Sequence, residues 1–127
     1  ICATSSHDTS TIRGWWEENR ESTQRYFNNW LNQKGKAPVH ANEKICKQII
    51  DSHLQSPAMC VMMPIQDFFA LESELRVKNV EQERINVPAN PRNYWKYRMH
   101  IDIEKLRKMK SFNSLIQQML NESGRLM

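Results

Sequence analysis

The sequence predicts an α/β fold that is mostly helical, with two short parallel strands. Two apolar, strand-like runs, at about residues 1–6 and 58–63, are each followed by a polar pair that ends in Asp. Amphipathic helical patterns occupy the long connection between the two runs. Because a helical crossover joins parallel strands, we expect the two runs to pair side by side in one sheet.

The composition is that of an ordinary globular protein. The chain has 127 residues, of which 39% are hydrophobic and 25% charged, and this excludes an intrinsically disordered chain. No apolar run approaches the roughly 18 residues that would cross a bilayer, and no secretory signal peptide is recognisable, so we expect no membrane partner. Three widely spaced cysteines favour reduced thiols over a disulfide framework, which predicts a cytoplasmic location.

A first helix is predicted directly after the first strand, with Thr9 or Ser10 as its N-cap. The polar turn at residues 17–23 ("EENREST") is where we expect this helix to fray or bend. Its apolar side chains mostly recur at spacings of three and four, and we expect them in the core: Ile12, Trp15, Trp16, Phe27, Trp30 and Leu31.

A second helix is predicted from near Asn42 to just before Pro57, with one amphipathic face. The apolar run at 58–63 ("AMCVMM") does not alternate with polar residues, which predicts a strand covered on both faces. A short helix at 68–75 should follow it.

The remaining third of the chain is predicted to be irregular and then helical. Residues 84–95 ("RINVPANPRNYW") are interrupted by prolines and fit no regular element. From Asp102 onward we expect one or two helices, with Ser111 as the cap between them.

The polar pairs His7-Asp8 and Gln66-Asp67 should both lie at the carboxyl ends of parallel strands. Barrel and doubly wound α/β enzymes build their active sites at this edge. Two strands alone cannot form a sheet with protected edges. We therefore expect residues 1–127 to be one carboxyl-terminal fragment of a (β/α)8 TIM-barrel catalytic domain.

Three sequence blocks resemble one enzyme family. They are "SSHDTSTIRGWW" at 5–16, "MMPIQDFFAL" at 62–71 and "ERINVPANPRNYWKYRM" at 83–99. In order and interval they are similar to the carboxyl end of the 4-alpha-glucanotransferases, the amylomaltases or disproportionating enzymes of glycoside hydrolase family 77. The match runs from residue 1 to about residue 106. The motif "NPRNYWKYRMHI" at 90–101 is most similar to sequences of the branch that includes the plant cytosolic disproportionating enzyme.

The resemblance implies a retaining transfer of α-1,4-glucan segments to the 4-hydroxyl of an acceptor glucan, with no cofactor. By this match Asp8 is a catalytic carboxylate that binds hydroxyls of the transferred sugar and stabilises its transition state, while His7 and Asn86 bind substrate. The nucleophile and the acid, two carboxyl groups about 5 Å apart in retaining enzymes, lie upstream of Ile1 in the family. The chain by itself should therefore be inactive.

For several residues the sequence leaves a structural alternative open. Asp8 would, without the resemblance, be interpreted as a helix cap or a first-turn acid. Asp67 could bind substrate or hold the backbone, and Arg84, Tyr94 and Trp95 could pack or hold a loop. Trp15 and Trp16 could stack on sugar rings, although their helical spacing favours the core. The other histidines have no metal-ligand spacing, so we expect no metal site: His40, His53 and His100.

Two non-catalytic alternatives come from charge and from strand edges. Residues 92–110 contain seven Lys or Arg against two acids, with three aromatic residues among them, and such a surface could bind single-stranded nucleic acid. No nucleic-acid-binding module accompanies this segment, so we expect no nucleic-acid partner. The second alternative is a helical module that self-associates. The unpaired apolar strands of the fragment predict that it self-associates. This prediction is compatible with the interpretation that the parent protein is an enzyme.

Overall fold

The computed structural model describes residues 1–126 and contains six α-helices and a small parallel sheet of two strands. Strand β1 (Cys2–Ala3) pairs with strand β2 (Val61–Met62), with Cys2 opposite Val61 and Ala3 opposite Met62. The predicted parallel pair is therefore confirmed, although each strand is two residues long rather than six.

The predicted first helix is two helices, α1 (Ile12–Glu18) and α2 (Arg20–Asn29). They separate at Asn19, whose side chain accepts a hydrogen bond from the Ser22 N–H at 2.9 Å and so caps α2. The expected bend in the polar turn is thus confirmed, and its cause is a side chain that competes with the helical backbone bonds.

The predicted N-cap of α1 is wrong by one or two residues, because the cap is Thr11. The Thr11 hydroxyl accepts from the Gly14 N–H at 3.3 Å. Thr9 instead accepts from the Ser6 N–H at 2.8 Å and stabilises a turn that precedes the helix. Of the neighbouring hydroxyl residues, Thr9 therefore stabilises the turn and Thr11 caps the helix.

Helix α3 (Glu43–Leu54) agrees with its prediction at both ends. The Asn42 side chain caps it by accepting from the Ile45 N–H at 2.9 Å, and the helix ends before Pro57. One face of α3 is buried through five side chains: Ile45, Cys46, Ile49, Ile50 and Leu54.

Beyond β2 the helical pieces are shorter than predicted. Helix α4 (Ile65–Phe69) begins three residues before the predicted helix and ends early. It is followed by two 3₁₀ turns, Ser73–Leu75 and Val80–Glu83. Residues 84–100 contain no helix or strand, as predicted for 84–95.

The tail forms two helices, α5 (Ile103–Lys108) and α6 (Lys110–Glu122). They separate at Met109, so the predicted cap at Ser111 is wrong. The Asn113 side chain donates to the carbonyls of Leu106 and Arg107 at 3.0 and 3.3 Å. The Met109 N–H also donates to the Leu106 carbonyl at 3.2 Å. The last carbonyls of α5 are thus satisfied by Met109 and by a side chain of α6, which stabilises the break at this point.

One hydrophobic core joins α1, α2, α3, α4 and the tail. Trp16 is fully buried and donates its ring N–H to the Pro38 carbonyl at 3.0 Å, which confirms its predicted core position. Trp15 is only partly buried and packs edge-on against Tyr26. Trp30, also predicted in the core, is exposed.

The second strand is not covered on both faces. Met62 is 57% exposed and neighbouring Met59 is 98% exposed. Val61 and Met63, in contrast, are partly buried and pack against the core, so the run is covered on one face only. Within residues 1–126 the sheet has only two strands, and no further strand covers Met62. None of the helices in the same residues is long and apolar enough to cross a membrane.

Candidate functional site

The segment between β1 and α1 is held at both ends by one buried carboxylate, Asp67. One carboxylate oxygen accepts from the hydroxyls of Thr4 and Ser5 at 2.5 and 3.3 Å, and the other accepts from the Ile12 N–H at 2.8 Å. Burial raises the pKa of Asp67 above its ordinary value, although these hydrogen bonds oppose the rise. Of the two roles left open for Asp67, the structure supports the structural one.

His7 and Asp8 lie on the open side of this held segment. Their side chains are about half exposed, at 51% and 49%, and His7 Nε2 is 3.4 Å from an Asp8 carboxylate oxygen. Asp8 does not cap α1, because Thr11 is the cap and no acidic residue lies in the first turn. The interpretation of Asp8 as a cap or first-turn acid is therefore wrong.

Asn86, from a distant part of the chain, contacts both His7 and Asp8. Its backbone N–H donates to the His7 carbonyl at 3.0 Å, and its side-chain amide donates to Asp8 Oδ1 at 2.7 Å. Asn93 in turn donates to the Asn86 side-chain oxygen at 2.9 Å, which fixes the orientation of that amide. The three residues predicted as site residues thus form one cluster.

Two residues with roles left open hold the loop around this cluster. The Trp95 ring packs on the His7 ring with centroids 4.7 Å apart. Arg84 donates to the Ser10 hydroxyl at 2.7 Å and lies 3.6 Å from a carboxylate oxygen of Glu18. Both contacts join the irregular loop to the segment that carries Asp8.

Tyr94 is exposed, with the Lys96 ammonium 5.0 Å from its ring centre. In the basic segment 92–110, Trp95 therefore contacts the candidate site, while Tyr94 pairs with a cation from the same loop.

Sequence reasoning missed Glu83, which is only 5% exposed. The Thr11 hydroxyl donates to one of its carboxylate oxygens at 2.6 Å, and the Arg13 guanidinium donates to the other. Burial raises the pKa of Glu83, and the bonds from Thr11 and Arg13 work against that rise. Glu83 ends a polar stretch of the sequence, so no apolar periodicity could have indicated its burial.

A cavity of about 460 Å³ lies behind the loop, and neither His7 nor Asp8 lines it. Glu83, Arg84 and Asn93, which hold the loop in place, form part of its wall. The cavity therefore borders residues that hold the loop and not His7, Asp8 or Asn86.

The remaining histidines contact helix residues outside the cluster. His40 lies 2.8 Å from a Glu17 carboxylate oxygen, His53 is 2.7 Å from the Ile49 carbonyl, and His100 packs edge-on against Phe69. Within residues 1–126, no three side chains of His, Cys, Asp or Glu gather into a potential metal site.

Comparison with known proteins supports a single family. A family model described as 4-alpha-glucanotransferase matches residues 1–104. The chain is 31% identical over 125 residues to the 4-alpha-glucanotransferase DPE2 of Oryza sativa subsp. japonica, covering 98% of this chain and 13% of that protein. It is 31% identical over 120 residues to a 4-alpha-glucanotransferase of Chlamydia trachomatis, covering 92% of this chain and 22% of the relative.

A further relative is the chloroplastic/amyloplastic 4-alpha-glucanotransferase of Solanum tuberosum, 28% identical over 103 residues, with 78% of this chain and 15% of the relative aligned. The chain thus spans between 13% and 22% of the length of these three relatives.

Proposed function

The chain belongs to the 4-alpha-glucanotransferase family, glycoside hydrolase family 77, and from this premise we propose that its protein transfers α-1,4-glucan segments or glucosyl units to the 4-hydroxyl of an acceptor glucan. Its partners are α-1,4-glucans such as maltose, maltooligosaccharides, glycogen or starch, and it uses no cofactor. The observation that carries the proposal is the convergence of His7, Asp8 and Asn86 at the carboxyl end of β1.

Asp8 is the catalytic residue of this cluster in the proposal. In a retaining transfer the sugar becomes oxocarbenium-like and its ring flattens, so contacts that fit the flattened ring accelerate the reaction. A half-exposed carboxylate, oriented by Asn86 and beside His7, has acceptor positions left for sugar hydroxyls. His7 and Asn86 would bind the same sugar.

The nucleophile and the acid/base carboxyl are proposed to lie outside these 127 residues. We place residues 1–127 at the carboxyl-terminal part of a (β/α)8 barrel, with those two groups on earlier strands. The parallel pairing of β1 and β2 and the limited coverage of the relatives support this placement. The isolated chain is then inactive, since binding contacts without both carboxyl groups cannot form the glycosyl-enzyme intermediate.

We propose a cytoplasmic location because the cysteines are free thiols. Cys2, Cys46 and Cys60 are all free. Burial raises the pKa of the Cys46 thiol to about 12, so that this cysteine is an inert core residue. Free cysteines in this arrangement suit a reducing compartment.

The reaction class is tested by the products formed from maltotriose. The full-length protein that carries this chain should release glucose and also form oligosaccharides longer than maltotriose, because the glucan is passed to a sugar hydroxyl rather than to water. The isolated chain should form neither. Glucose and maltose without longer products would indicate hydrolysis and contradict the proposal.

A further inference from the structure

The segment that ends in Asn86 lies antiparallel to the segment that carries Asp8. Glu83 contacts Thr11, and Arg84 contacts Ser10. The next contact in this order joins Asn86 to Asp8, together with the backbone bond from Asn86 to His7. The two segments are thus aligned residue against residue over the length of the candidate site.

The contact at Glu83 is buried, the contact between Arg84 and Ser10 is partly buried, and the side-chain contact between Asn86 and Asp8 is exposed. The Glu83 carboxylate binds the hydroxyl of Thr11 and the guanidinium of Arg13, and the Glu83 backbone carbonyl accepts from the Gln66 amide at 3.2 Å. Arg13 also donates from both terminal nitrogens to the Val77 carbonyl at 3.1 Å. The hydrogen bond from Asn86 to Asp8 is exposed to water, so by itself it stabilises the loop less than the buried contacts of Glu83 do.

From this arrangement we infer that Glu83 is a positioning residue that fixes the register of the loop, and so sets Asn86 and Asp8 in the geometry that receives the transferred sugar. The inference rests on the proposed function and adds to it a residue that never touches substrate. Removing one partner of a buried ion pair leaves the other charge uncompensated, so Arg13 and the loop must shift together. A shift of about 1 Å at a reacting sugar can lower turnover about a hundredfold.

The experiment compares Glu83→Gln with Glu81→Gln in the full-length enzyme, each in the wild type and in an Asp8→Asn background. Glu81 is an exposed acid of the same 3₁₀ turn and serves as the matched control. We expect Glu83→Gln to lower kcat for maltotriose transfer at least tenfold in the wild type and less than twofold in the Asp8→Asn background, because residues that act as one unit are not additive. Glu81→Gln should leave kcat within twofold in both.

A purely structural role would lower activity by the same factor in both backgrounds, and that result would overturn the inference, as would unchanged kcat in the wild type. Should Glu83→Gln fail to fold, Arg13→Lys keeps both charges but loses the two-nitrogen contact to Val77, and the same background-dependent loss is expected. If Asp8→Asn itself leaves turnover normal, the proposed function fails first, and the inference fails with it. If Asp8→Asn lowers turnover by roughly three orders of magnitude while the Glu83 effect on the residual turnover is equal in both backgrounds, only the inference fails.

Discussion

At the scale of single residues, Asp67 and Glu83 are the two buried acids among residues 1–126, and both support the segments that meet at Asp8. Each is desolvated, and desolvation raises the pKa of each carboxyl above its ordinary value, 3.8 for Asp67 and 4.5 for Glu83. The buried charge is therefore a cost at neutral pH that the hydrogen bonds only partly offset.

This shift predicts a pH dependence of stability. Between the unfolded and the raised folded pKa the native state binds more protons than the unfolded state, so the Asp67 contribution to the free energy of unfolding falls as pH rises above about 4. Urea unfolding of the chain from pH 3 to pH 7 should therefore show that wild type loses stability with rising pH relative to Asp67→Asn.

Asp102→Asn is the control for the Asp67 substitution. Asp102 is exposed, and its side chain makes no capping bond to α5. Its replacement should leave the pH profile parallel to that of the wild type. Wild-type stability that rises with pH relative to Asp67→Asn would show that the pKa of Asp67 is lowered rather than raised.

At the scale of the elements, the junction of α1 and α2 depends on one asparagine. Asn19→Ala removes the bond to the Ser22 N–H and leaves that donor without its protein partner. We expect a loss of about 1 kcal/mol in the free energy of unfolding, measured by urea denaturation. Asn29→Ala, at an exposed position in the last turn of α2, should change stability far less. Equal effects of the two substitutions would mean that the Asn19 cap does not stabilise the helix.

Local chemistry explains which elements could be predicted. The boundaries of α3 follow from a capping Asn, a regular apolar stripe and a proline, all of them short-range signals. Strand lengths could not be predicted, because an apolar run does not reveal where its hydrogen-bonded partner ends. The break at Met109 depends on Asn113 reaching back to α5, a contact that the sequence pattern around Ser111 does not indicate.

Only part of the candidate site could be predicted from the sequence. His7, Asp8 and Asn86 could be proposed from motifs that resemble a family. Glu83 could not, since its burial depends on contacts with Thr11 and Arg13, which lie 72 and 70 positions earlier in the chain. A buried charge whose partners are this distant in sequence resembles any surface acid when only its neighbours are considered.

At the scale of the whole molecule, an apolar surface borders the sheet. Ile1, Met59 and Met62 are 90%, 98% and 57% exposed. Both strands are edge strands within residues 1–126 and could pair with another copy of the chain. We propose that the isolated chain self-associates through this surface.

Light scattering of the isolated chain tests this proposal. The measured mass should exceed 15.1 kDa and fall toward it in Met59→Lys/Met62→Lys. Val39→Lys, at an exposed apolar position in the loop before α3, is the control and should leave the mass unchanged. A monodisperse wild-type monomer would contradict self-association.

Asp8 is proposed to stabilise the transition state of a glucan transfer. The most direct test of this role is release of glucose from maltotriose by the full-length protein, with wild type compared with Asp8→Asn, a nearly isosteric change that removes the charge. Turnover should fall by roughly three orders of magnitude, about 4 kcal/mol of transition-state stabilisation, while the protein stays folded. The control Asp102→Asn should keep wild-type turnover. Near-normal turnover in Asp8→Asn would contradict this catalytic role and leave Asp8 as a surface carboxylate held by Asn86.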